Sequence, residues 1–275
     1  MNLKALLLVL NLRFSNLNPM RKLFEGLPDS FLMGTIPFIY LFFYLFYVSL
    51  RGSALNIFEM YSLSLIPLLI ILGVRGRKFF DITGWDLNHA PLLIRIGRFA
   101  ILTFTGFLIG YGLYKLSTLS FALFGFHLFP FDVFYLGLSV QNPTFLVLID
   151  SLIIAVFEET IRIIPALIYS NAFYRMGYSE ETSIVFGVLL SSIIFIVCHV
   201  FSWGGLSLMQ LLLGTSTIAL MTLGGWVLRI KEIWGSLAFK EFSIYTSLVS
   251  HLIFDFLVFA QLAVIHPFMF IFGLV

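Results

Sequence analysis

Glu158, Glu159 and Arg162 stand in the middle of an otherwise apolar run, Asp150 to Ser170, DSLIIAVFEETIRIIPALIYS. A charge in a bilayer core costs roughly 3 kcal/mol even on lenient insertion scales, so acids placed there need partners from other helices. Two further apolar runs carry ionisable groups at helical spacing: His199 four residues after Phe195, and Asp255 four residues after His251. Side chains four apart share one helix face. Glu158 and Glu159 lie about 100° apart around a helix axis and so take different tasks. Glu158 shares its face with Arg162, and an ion pair there is expected to keep one carboxylate charged while the other is tuned.

The chemistry open to this set is activation of water. A carboxylate held in an apolar site can serve as a general base near neutral pH. A histidine on the far side of the water orients it, and a His/Asp pair across a cavity can donate hydrogen bonds to the oxyanion of an amide under attack. Asp255 donates directly only if protonated; otherwise it fixes the tautomer and orientation of His251. Cys198 abuts His199, but neighbours on a helix diverge, and no Ser or Cys sits in a nucleophile motif.

The elements that must position these residues are membrane helices. The chain has 275 residues, 60% hydrophobic and 11% charged, with mean hydropathy +1.03, whereas soluble domains carry about 25% charged residues. The expected fold is all-α: a polytopic bundle of about seven to eight membrane helices enclosing a polar cavity. The single cysteine excludes an internal disulfide and a cysteine-based zinc site. The net charge of +2 is scattered over short loops and forms no stripe for nucleic acid.

Residues 1–30 read as a cytoplasmic or interfacial segment, 31–143 as the N-terminal membrane helices, 144–263 as the helices carrying the polar residues, and 264–275 as a hydrophobic tail, all within one integral membrane domain. The spans are placed at Phe31–Leu50, Ile57–Val74, Phe99–Lys115, Thr144–Ser170, Glu180–Val200 (capped by Ser179), Leu206–Leu228 and Phe242–Ala263. Segment 75–98 is the main polar connection. Segment 117–143 fits one more span, a re-entrant hairpin or an interfacial helix. With the N-terminus inside and 117–143 on the outer side, thirteen of the sixteen Lys and Arg residues fall on the inner side, as the positive-inside rule asks. The multi-pass protein is thus placed in the cell membrane with a cytoplasmic N-terminus. Counted from the inner ends of these spans, Glu158 lies ~18 Å deep, His251 ~13 Å and His199 ~27 Å. Span edges set this way leave the three out of level, so the fifth span must begin outside the bilayer or tilt.

Read in order, EETIR at 158–162, FIVCH at 195–199 and HLIFD at 251–255 resemble the EExxxR-like, FxxxH and HxxxD/N motifs of the CAAX prenyl endopeptidase type II family, also called the CPBP or Abi family. The resemblance covers about 150 to 256. Arg162 falls three residues after Glu159, with Ile163 at the family's position, a spacing more like the related PrsW-type branch; His199 stands where that branch has Glu. The resemblance implies an intramembrane endopeptidase working by a glutamate-activated water. By motif position Glu158 is the base, His199 its partner on the water, and His251 with Asp255 the oxyanion side. Glu159, Arg162 and Phe195 support them. The implied substrate is a peptide or protein, lipidated or otherwise membrane-associated, with no cofactor and no nucleic acid.

Other readings compete. Glu158, His199 and His251 have the ligand types of a catalytic zinc site, although no HExxH pair is present. Intramembrane Glu/His sets also serve proton relays, which admits a proton-coupled transporter, though no inverted repeat is found. A structural scaffold would use the same residues as interhelical hydrogen bonds. His89, His127 and His266 read as loop or interfacial residues, and Arg98, Gln210 and Gln261 as candidates for lining a substrate groove.

Overall fold

The computed structural model describes residues 29–51, 59, 62–67, 69, 92–124, 145–227 and 246–258. All regular structure among them is helical: α1 (Phe31–Arg51), α2 (Leu92–Phe124), α3 (Phe145–Arg175), α4 (Glu180–Cys198) and α5 (Leu208–Val227), then α6 (Thr246–Val258). Residues 62–67 are helical as well. The polar connection apart from 92–98, the segment 125–144 and the two chain ends, with His89, His127, Gln261 and His266, lie outside the described residues.

Three helical stretches are long and apolar enough to cross a membrane: Phe31–Arg51, Phe99–Leu119 and Glu181–Cys198. α3 has the length but carries three charges at its middle, and the apolar stretches of α5 and α6 are shorter. Polarity is distributed inside out. Leu32 and Leu208 are each 72% exposed, whereas Arg162 is 0% and Glu159 1% exposed. A water-soluble domain hides the former and displays the latter.

Apolar faces that meet no water gain little from hydrophobic association, so helices are held by close packing and interhelical hydrogen bonds, with small residues at the contacts. Glycines mark several helix pairs here. A methyl on Gly106 of α2 would lie 2.7 Å from Val249 Cβ and 2.9 Å from the Thr246 carbonyl oxygen, and one on Gly110 would strike the Ser250 carbonyl, so α2 and α6 touch backbone to side chain. Gly187 of α4 lies against Ala166 and Ser170 of α3 in the same way. The α1–α3 contact is aromatic: Phe157 meets Tyr44 edge-on at 4.9 Å in a core that also holds Phe38, Leu41, Phe195, Met221 and Phe254.

Several span edges differ from expectation. α2 is one helix of 33 residues, joining the end of the polar connection to the start of 117–143. The sequence offers no proline between 92 and 124 to stop it, and Thr118 turns its hydroxyl back onto the Tyr114 carbonyl at 3.0 Å. α3 continues past Ser170 to Arg175, so Asn171 and Arg175 are helical rather than loop residues. The stop signal is Gly177, at φ +95°. Gly177 N–H donates to the Tyr174 carbonyl at 3.0 Å and Tyr178 N–H to the Phe173 carbonyl at 3.3 Å. The Phe173 and Tyr178 rings pack 6.0 Å apart. This is a Schellman ending with its hydrophobic contact. Ser179 then caps α4 as expected, accepting from Thr182 N–H at 3.2 Å.

The longer α3 brings Glu158 level with His199, while the start of the span carrying His251, at Phe242, lies outside the described residues. From the α3–α4 turn, Glu158 is 17 residues back from Arg175 and His199 is 19 residues on from Glu180, or ~26 Å and ~29 Å of helix. In an antiparallel hairpin the two are level, with no tilt or outside start required.

Candidate active site

Each site residue is placed by a local feature. Glu158 and Glu159 lie mid-helix on α3. His199 is the C-cap of α4, where the helix yields to a tight connection. Trp203 N–H returns to the His199 carbonyl at 3.0 Å, and Gly204 and Gly205 take positive φ to close the turn. The His199 ring is held between Phe195, centroids 4.6 Å apart, and Trp203, 5.0 Å away. His251 and Asp255 share a face of α6.

The structure brings all five expected residues together. Glu158 Oε1 is 3.5 Å from His199 Nε2, and Glu158 Oε2 is 3.3 Å from His251 Nε2. Asp255 Oδ2 is 3.4 Å from the same nitrogen. These separations exceed an ordinary N–H···O hydrogen bond, which has its mode near 2.9–3.0 Å. Asp255 Oδ2 is buried and makes no hydrogen bond among the described residues.

Glu159 differs from the expectation that Arg162 pairs with Glu158. Arg162 Nη2 forms its ion pair with both oxygens of Glu159. Positions three and four apart are both within reach on a helix, and neighbouring helices decide between them. Arg162 Nη1 donates to Thr222 Oγ1 and to the Ile218 carbonyl at 3.4 Å, both on α5. Arg162 Nη2 also donates to Ser247 Oγ of α6 at 3.0 Å. Ser247 Oγ donates in turn to Glu159 Oε2 at 2.7 Å. The guanidinium is therefore aimed along the α5–α6 side, where Glu159 lies.

Hydrogen-bond roles settle the tautomers. His199 Nδ1 is 2.8 Å from the Phe195 carbonyl oxygen, which only accepts, so Nδ1 carries hydrogen and donates. His251 Nδ1 is 2.8 Å from Glu159 Oε1. Glu159 meets only donors in Arg162 and Ser247, so it acts as an acceptor, and His251 Nδ1 is the donor. The orienting role expected of Asp255 thus falls to Glu159; Asp255 lies on the Nε2 side. Both imidazoles turn Nε2 toward Glu158.

Three buried carboxylates meet one guanidinium here. Leaving unpaired charge in a low-dielectric interior is costly, so the cluster as a whole calls for two more protons or an equivalent positive charge. Among the described residues no group of three or more His, Cys, Asp or Glu side chains has the geometry of a metal site.

Ser247 and Thr222 were not legible in advance, since isolated hydroxyls are common in apolar helices and satisfy themselves on their own backbone. The one available signal was that Ser247 precedes His251 by four residues, on the same face. Gln210 serves a local role: Ser207 N–H donates to its Oε1 at 2.8 Å while Gln210 N–H donates to Ser207 Oγ at 3.2 Å, a capping box at the start of α5. The side chain of Arg98 lies outside what the structure describes. Compared with family models, with curated protein sequences and with solved structures, the chain matches none.

Proposed function

We propose that the protein is a multi-pass membrane endopeptidase that hydrolyses a peptide bond with a water activated by Glu158 and His199. The observation that carries this reading is the convergence of acids and imidazoles from three helices. Glu158 has His199 Nε2 at 3.5 Å on one oxygen and His251 Nε2 at 3.3 Å on the other, so a water brought to Glu158 would meet an imidazole as well. The three motifs that resemble the CAAX prenyl endopeptidase type II family supply these same side chains, and the inside-out polarity supports a site within lipid.

In this reaction Glu158 takes a proton from the water as its oxygen attacks the scissile carbonyl carbon, and His199 Nε2 accepts the second water hydrogen to align it. The carbonyl oxygen becomes an oxyanion facing α6. There His251 donates from Nε2 as an imidazolium, with Glu159 as its counter-ion, and Asp255 in its protonated form donates beside it. The tetrahedral carbon then expels the amine. The proton held by Glu158 passes to the leaving nitrogen as the C–N bond breaks, leaving a carboxylic acid and an amine. The substrate is a polypeptide whose cleavage point reaches a small wet cavity from the membrane, a lipidated or hydrophobic C-terminus being one such form.

The test is cleavage of a peptide library by the purified protein in nanodiscs, with Glu158→Gln as the comparison. Loss of hydrolysis with an unchanged circular dichroism spectrum is expected; undiminished activity in that variant refutes the base assignment. A zinc-dependent peptidase would lose activity to a chelator and regain it with zinc. A proton-coupled transporter would show substrate-driven proton flux in liposomes, and a scaffold would keep its role after Glu158→Gln.

A further inference from the structure

We infer that Ser247 is a positioning residue for His251, acting through Glu159. The kinetic part of this inference rests on the peptidase reading above; the structural part does not. Ser247 has one hydroxyl hydrogen and the structure spends it on Glu159 Oε2 at 2.7 Å, while its oxygen accepts from Arg162 Nη2 at 3.0 Å. Glu159 is thereby held on two sides, by the guanidinium of its own helix and by the hydroxyl of α6, and its other oxygen is left to face His251 Nδ1 at 2.8 Å. All four side chains are buried, so no water competes for the carboxylate. Ser247 and His251 stand one turn apart on α6, which ties the orientation of the acid to the helix that carries the imidazole. A carboxylate on Nδ1 decides which ring nitrogen faces the reaction, and an enzyme with the wrong tautomer loses most of its rate even when its geometry is intact.

Without the hydroxyl, Glu159 Oε2 keeps only Arg162 and can turn within the α3 surface. The Nδ1 contact then loosens, the imidazolium loses its fixed counter-ion, and the ring relaxes toward a neutral form without hydrogen on Nδ1, its charge and its aim at the oxyanion both lost. Ser191 provides the matched control. Its hydroxyl also reaches Arg162, at the backbone carbonyl, at 2.6 Å, and it is equally buried. It touches neither Glu159 nor His251 among the contacts the structure shows.

The experiment is imidazole 15N NMR of the full chain in micelles, with the His251 signals assigned by their loss in His251→Asn, together with kcat and KM on a cleaved peptide. The unaltered protein is expected to show His251 protonated on Nδ1. Ser247→Ala should lose that signature and lower kcat about tenfold with little change in KM, and Ser247→Cys, similar in size with a weaker donor, should fall between. Ser191→Ala should lower thermal stability and leave both readings in place. The inference is overturned if Ser247→Ala keeps the Nδ1–H signature, with or without loss of activity, or if Ser191→Ala removes it. If Ser247→Ala does not fold, a Ser247→Cys protein identical to the unaltered one in both readings overturns it instead. A tautomer shift in Ser247→Ala in a protein that cleaves no peptide upholds the positioning role and discards the peptidase.

Discussion

Two adjacent residues of α3 live in opposite surroundings. Glu159 is chemically finished: Arg162, Ser247 and His251 occupy both of its oxygens. Glu158, one position earlier, has the two imidazole Nε2 atoms at the longer distances of 3.3 and 3.5 Å among the described residues. A tightly paired acid holds structure; one with looser partners is the better candidate for exchanging a proton. The difference shows how a buried network can supply rigidity on one side of a helix and reactivity on the other, since the rotation between consecutive residues hands them to different neighbours.

The sharpest way to break this contrast is to neutralise each acid in turn. Glu158→Gln is expected to lower peptide hydrolysis at least about a thousandfold, the upper range for a general base, with no loss of thermal stability by scanning fluorimetry in detergent. An equal loss of stability in this variant would make Glu158 as structural as its neighbour. On the other side, Arg162→Ala strands Glu159 and is expected to cost about 3–5 kcal/mol, read as a large drop in unfolding temperature. A stable Arg162→Ala protein would mean the guanidinium is dispensable and the contrast misplaced.

Smaller effects sharpen the picture. Gly106→Val pushes α6 from α2 and should cost about 1–3 kcal/mol by overpacking. Activity should fall with it because His251 rides on α6; activity unaffected by the displacement would detach His251 from the chemistry. Thr222→Val removes one acceptor of Arg162 while keeping its shape, and about 1 kcal/mol of destabilisation is expected. Ser179→Ala, far from both acids, should cost about 1 kcal/mol through the lost cap and leave the rate per folded molecule unchanged.

Much of the site was legible from residue type and period. The acids and imidazoles were found because lipid-facing helices tolerate such groups poorly, and the four-residue spacing correctly put His251 and Asp255 on one face. The end of α3 was misjudged, because the span was stopped at Ser170 while the operative signal was Gly177 two residues past Arg175. That error alone made Glu158 look shallower than His199. The partner of Arg162 was misjudged for a different reason. Spacing of three or four is equally good on an isolated helix, and only Thr222, Ile218 and Ser247 from other helices select Glu159.

By itself the sequence determined helical class, the apolar surfaces and the identity of five candidate residues, because hydropathy and helical period are properties of consecutive residues. Which nitrogen of each imidazole faces Glu158, which acid Arg162 neutralises, and that Ser247 and Thr222 belong to the network were decided only by the tertiary structure. Those are questions of a few ångströms between side chains on different helices, and the helix packing that sets such distances leaves no periodic trace along the chain.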